Sequence, residues 1–178
     1  MKTKQLNAVD CLRFEDDIFE CYKTNHLVLD SQNSWKMNTS FDAREFLRGY
    51  CSASDSCVIG IFDNNETTLY GFVIFDNLRY CGYKSCAEVH IVMSKYMFGK
   101  SNFYMYERIL SGCGLTTVYA QIPSIAVHPI RICKKLGFKK TGYIPDAITY
   151  VNASGEEKMY DIQIYTWRRG DLLSNGKI

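Results

Sequence analysis

Glu88 and His90 are the pair best suited to moving a proton, and they stand two apart inside the run Cys86-Ala87-Glu88-Val89-His90-Ile91-Val92-Met93. A short apolar run of this kind predicts a strand over residues 86–93. Side chains two apart on a strand share a face, so the carboxylate, the imidazole, Val92 and the Ser94 hydroxyl line one side. Such a carboxylate can act as a general base; the plainer account is a polar stripe on a half-exposed strand. Cys133 lies in an apolar stretch, where a thiol is either a proton donor or a small hydrophobic filler. His26 and His128 lack partners at metal-ligand spacing, which predicts surface or capping histidines and no metal site.

The elements that must hold these groups follow from periodicity. Residues 8–22 place Val9, Leu12, Ile18, Phe19 and Tyr22 at helical spacing, with Glu15, Asp16, Asp17 and Glu20 on the solvated side. Residues 41–53 repeat the pattern with Phe46, Leu47 and Tyr50, capped by Ser40 or Asp42. The period then changes: residues 57–62 form a strand ending at the turn cluster Asp63-Asn64-Asn65-Glu66, residues 67–75 its returning partner, and residues 80–84 the turn before the strand that carries Glu88. A helix over 101–110, a strand over 116–122 and a helix over 127–136 come next. Pro129 fits the first turn of that last helix, and Gly137 stops it. A hairpin of residues 147–151 and 158–167, turning at 152–155, closes the chain.

Composition limits what these elements do. Hydrophobic residues make up 47% and charged residues 22%, a globular balance. A net charge of +2, from 21 basic and 19 acidic residues, sets up no broad field for nucleic acid or membrane, so neither is expected as a partner. The eight cysteines form no C-x-x-C pair, and Cys57, Cys86 and Cys133 sit in apolar runs. Residues 1–10 lack the apolar core of a signal peptide, and no stretch is long enough to span a membrane. A reduced, cytoplasmic protein of one domain, residues 1–178, is the expectation. Phe103-Tyr104-Met105-Tyr106 cannot be buried all round a helix, which points to a contact surface or to ordinary scatter of aromatics.

The segment Arg131-Ile132-Cys133-Lys134-Lys135-Leu136-Gly137-Phe138 resembles the helix-to-strand passage of the GNAT superfamily of N-acyltransferases. The run from Ala87 to Ser101 looks like that family's central strand and acyl-CoA loop, and Glu157 to Arg168 like its closing strand; the likeness covers about residues 58–168. It implies a mixed α/β sheet in the order β-α-α-β-β-β-α-β-α-β-β, with a V-shaped split beside the central strand. By that resemblance Ile91, Val92 and Met93 supply main-chain contacts to a pantetheine arm lying in the split like an added strand. The loop Phe98, Gly99, Lys100, Ser101 and Asn102 precedes a helix, whose free N–H groups suit a pyrophosphate, and Lys100 adds charge. Glu88 matches the position of a general base in some members.

The sequence also departs from the family. Its loop keeps one glycine where the pattern has Arg-Gly-x-Gly-x-Gly or Ala, Cys133 stands where a tyrosine often protonates the leaving thiolate, and Ala126 replaces an asparagine. Two roles follow from the resemblance. One is acetyl-CoA-dependent N-acetyltransfer to a small-molecule or protein amine, with catalytic Glu88, His90 and Cys133. The other is a GNAT-fold protein that has lost catalysis and serves as a binding or assembly component, a homo-oligomer or a virion part, since the Glu-Val-His-Ile strand looks like that of phage-encoded GNAT-like proteins.

Overall fold

The computed structural model of the chain describes residues 1–24, 38–97, 103–151 and 156–169. Along the chain run β1 (Lys2–Gln5), α1 (Ala8–Arg13), α2 (Glu15–Thr24), α3 (Ser40–Ser52), β2 (Cys57–Phe62), β3 (Leu69–Cys81) and β4 (Lys84–Met93). After a 3₁₀ turn at Lys95–Met97 come α4 (Phe103–Gly112), β5 (Thr117–Pro123), α5 (Val127–Lys135), β6 (Lys139–Val151) and β7 (Glu157–Arg168). The predicted order holds, except that its first helix is two.

That helix divides at Phe14, the C-cap of α1, and the division re-phases the apolar stripe. Asn7 and Asp10 close a capping box at the start of α1, and buried Asp10 also receives the Lys4 ammonium at 2.7 Å. The break lets Phe14 pack on Phe62, ring centroids 5.1 Å apart, while Ile18, Cys21 and Tyr22 bury the i, i+3, i+4 face of α2. Val9 and Leu12, expected in the stripe, are exposed. Helix α3 is capped by Thr39 rather than Ser40, with Asp42 at N3 returning the bond.

One mixed sheet runs in the order β1-β2-β3-β4-β5-β7-β6. The first half of β3 is buried on both faces, which is why its sequence reads as a continuous apolar run there. Phe72 and Ile74 point into a core covered by α1, α2 and α3; Val73 and Phe75 point into a second core with Met105, Tyr106 and Ile109 of α4 and Cys133 of α5. Both β3 and β6 outrun their predicted lengths. Strand β3 continues through a register slip between Asp76 and Arg79 to a tight turn at Gly82, whose φ of +58° suits glycine. Strand β6 absorbs Pro145 in an irregularity between Ile144 and Ile148, where no ladder bond is asked of it. Among the described residues, no helix is long and apolar enough to cross a membrane.

Strands β4 and β5 form the parallel pair, and they are joined at Cys86↔Thr117, Ala87↔Val118 and Glu88↔Tyr119 alone. Beyond Glu88, β4 stays with β3 as far as Met93, while β5 follows β7 as far as Pro123. The sheet therefore opens as a V toward the carboxyl ends of both strands. One arm of the V depends on a close backbone approach: a Cβ at Gly71 would lie 2.8 Å from the Val92 carbonyl oxygen and 3.2 Å from Met93 Cα. Gly71→Ala is expected to lower stability by about 1–3 kcal/mol through overpacking, or about 2–4 °C in Tm per kcal/mol for a chain of this size. An unchanged thermal melt would mean that the β4 arm is free to yield.

Candidate active site

Glu88 is the last residue of β4 joined to β5, so its side chain stands at the apex of the split. Pleating aims it, with His90 and Val92, toward the face covered by α1–α3, since Val92 packs in that core and Val89 in the other. Across the apex on β5, Gln121 donates from Nε2 to Glu88 Oε2 at 3.2 Å. The second carboxylate oxygen, Oε1, lies 4.0 Å from His90 Nε2. On the other side, Asp76 of β3 is the register partner of Glu88. Asp76 is itself held by Ser56 Oγ at 2.6 Å and Asn77 Nδ2 at 3.3 Å. From above, Tyr50 of α3 tilts against the His90 ring, centroids 6.3 Å apart.

Burial sets the electrostatics of this cluster. It pushes the Glu88 carboxyl above its ordinary range; the Gln121 amide opposes that, and the negative charge of Asp76 adds to it. Burial also pulls His90 down, against a smaller upward pull from Asp76. His90 is therefore neutral near pH 7, and its approach to Glu88 is a contact between an imidazole and a carboxylate rather than an ion pair. The phenols of Tyr50 and Tyr119 are raised, first by burial and then by nearby carboxylates. Among the described residues no lysine or arginine pairs with Asp76 or Glu88.

The structure thus brings Glu88 and His90 together but places Cys133 elsewhere. Cys133 is buried in the core under the opposite face, and burial alone pushes its thiol up to about 12. It keeps its proton, as a packed thiol does. Ile91, Val92 and Met93 lie on the arm of β4 that β5 does not pair, so one backbone edge there faces the split. The buried Ser94 hydroxyl at the end of that arm has no hydrogen-bond partner among the described residues. An unpaired strand edge ending in an unsatisfied hydroxyl suits an extended, amide-bearing arm. Phe98, Gly99, Lys100, Ser101 and Asn102 lie outside the described residues. No group of three or more metal-ligating side chains occurs among the described residues.

Sequence reading missed Asp76, Gln121, Tyr50, Tyr119 and Ser56. Asp76 lies one residue beyond the strand end that the sequence predicts, Phe75, whereas the strand runs on to Cys81. Tyr119 and Gln121 did leave a signal: they alternate with Val118, Ala120 and Ile122 and so share the Glu88 face.

The sequence matches no family model and no curated protein. Its fold has clear neighbours among solved structures. The spermidine N-acetyltransferase of Vibrio cholerae, in complex with CoA and spermine, superposes with a TM-score of 0.71 at 12% identity, covering 97% of each chain. A point mutant of the same enzyme, SpeG, gives 0.70 at 13% identity, covering 99% of this chain and 100% of that one. An enzyme provisionally called a phosphinothricin N-acetyltransferase gives 0.65 at 19%, covering 94% of this chain and 98% of its own. The chain has the GNAT acetyltransferase fold.

A titration consequence follows from Glu88. Its folded-state carboxyl binds a proton more readily than in the unfolded chain. Its contribution to stability is therefore present below the ordinary carboxylate range and lost as pH rises through the raised value. Glu88→Gln cannot ionise, so its Tm relative to the parent should be higher at pH 7 than at pH 4. Paired thermal melts at the two pH values check this; equal offsets would show that Glu88 is not desolvated.

Proposed function

We propose that the chain is an acetyl-CoA-dependent N-acetyltransferase acting directly on an amine, with Glu88 as the general base. The observation that carries the reading is the end of β4–β5 pairing at Glu88, which puts a titratable carboxylate at the root of an open, backbone-lined groove. When bound, acetyl-CoA supplies an acetyl thioester. The free edge of residues 91–93 would hold its pantetheine arm, and the loop of Phe98, Gly99, Lys100, Ser101 and Asn102 its pyrophosphate.

An amine reaches this site mainly as its ammonium and must lose a proton before it can attack. Partly buried carboxylates without a cation favour that ammonium, because buried charge is costly until it is paired. Glu88 then takes the proton, directly or through one water. A carboxyl raised by burial accepts it more readily than an ordinary one. Gln121 fixes the carboxylate's orientation, and neutral His90 lines the acceptor side with Tyr50. The departing coenzyme A thiolate takes its proton from water, because Cys133, buried under the opposite face with its thiol pushed up to about 12, is a weaker acid than the thiol it would have to protonate. All eight cysteines are free, which fits work in a reducing cytoplasm.

Titration calorimetry with acetyl-CoA is the first test, and micromolar binding is expected. Incubation with acetyl-CoA and a panel of mono- and polyamines, read by product mass, then finds the acceptor. Glu88→Gln should leave acetyl-CoA affinity unchanged and cut turnover at least about tenfold; typical general-base contributions reach 10²–10⁴-fold. Undiminished turnover removes Glu88 from the mechanism. Absence of any heat with acetyl-CoA overturns the enzyme reading and leaves the binding or assembly role.

A further inference from the structure

Asp76 and Glu88 occupy directly facing positions on β3 and β4. Like charges placed directly opposite one another weaken a strand pair, and partial burial makes the arrangement harder to tolerate. The chain nevertheless holds Asp76 in place by several local devices. Ser56 Oγ donates to Oδ1 at 2.6 Å and Asn77 Nδ2 to Oδ2 at 3.3 Å. Asn77 adopts a φ of +52°, a conformation that costs most side chains energy and that asparagine tolerates. Immediately beyond, the ladder slips, and the Leu78 N–H turns to the Asp55 carbonyl at 2.8 Å. A bulge of this kind re-aims a side chain, and strain is kept where a function needs the geometry.

We propose that Asp76 is a positioning residue of this site: a carboxylate clamped by Ser56 and Asn77 opposite Glu88, whose fixed negative charge makes Glu88 a stronger proton acceptor. The inference rests on the reading of Glu88 as the base. The groups facing Glu88 leave Asp76 as the source of that charge. From β4 comes His90, neutral near pH 7; from β5, the Gln121 amide and the Tyr119 phenol; from α3, the Tyr50 phenol. Both phenols are raised and so uncharged. Arg79, farther along β3, acts on Tyr119. Asp76 also acts on His90, which supplies a reporter that needs no turnover.

The test has two arms. In the first, the three histidines are titrated by NMR in the parent and in Asp76→Asn, with His90 assigned by its loss in His90→Gln. Removing the charge should lower the His90 midpoint by about 1 pH unit, the low end of what a close charge does. In the second, the acid limb of the kcat/KM profile, where Glu88 must lose its proton, should move to lower pH in Asp76→Asn. The plateau kcat should drop about threefold, the Brønsted result of a base weakened tenfold, and KM for acetyl-CoA should stay within about twofold. Ser56→Ala, which frees the carboxylate without removing it, should give smaller shifts of the same sign, and it stands in if Asp76→Asn fails to fold.

The proposal is overturned if Glu88→Gln abolishes turnover while Asp76→Asn moves neither the acid limb nor the His90 midpoint. If no acceptor is ever acetylated, the proposed function fails instead, and the His90 titration still decides whether Asp76 exerts its field at the apex.

Discussion

Three residue pairs between the parallel strands β4 and β5, ending at Glu88↔Tyr119, are the constraint on which the other features of the molecule depend. On the core side they are closed by Ala87 and Val118, both fully buried, so the two halves of the sheet cannot separate below the apex. Above it they cannot close. Strand β4 is committed to β3 through the tight fit at Gly71, and β5 is committed to β7 along its whole length from Thr117 to Pro123. Each half is better paired with its outer neighbour than with the other half, and the inner edges are left over. A buried backbone group without a partner costs about 1–3 kcal/mol, so such edges persist only where water or a ligand meets them.

The same geometry explains which parts of the fold were legible in the sequence. Strands β2 and β4 and helix α5 carry local signals of the right period, flanked by turn residues or by Gly137, and they appear where expected. The first helix was misread because a 3.6-residue period cannot reveal a change of phase: Phe14 satisfies the stripe whether the helix continues or breaks, and only its packing on Phe62 decides. Strand β3 was cut short for a related reason. Asp76 and Asn77 carry turn propensity, and here that propensity produces a bulge inside a strand rather than an end to it.

The candidate site divides along the same line. Glu88 and His90 were readable because both lie in one strand, and their shared face follows from alternation alone. Ser56, Asp76, Tyr50 and Gln121 belong to it only through tertiary structure, from the approach to β2, from β3, from α3 and from β5. Cys133 shows the converse. Its place in a familiar-looking segment suggested chemistry, yet the position falls in the core under the far face of the sheet, where a thiol is simply well packed.

What distinguishes the apex from a structural polar stripe is its charge balance. A stripe on a half-exposed strand keeps its carboxylates hydrated or paired with lysine and arginine, as Lys4 pairs with Asp10 and Arg44 with Glu15 elsewhere in this chain. At the apex two facing acids have amide and hydroxyl donors, a neutral imidazole and two uncharged phenols around them. Hydrogen bonds orient those carboxylates without neutralising them, and part of the resulting cost appears as the raised proton affinity of Glu88. The site therefore favours either a proton or a cationic ligand over the bare pair of anions. An ammonium that surrenders its proton there provides both in sequence, and the open edge of β4 begins one residue away.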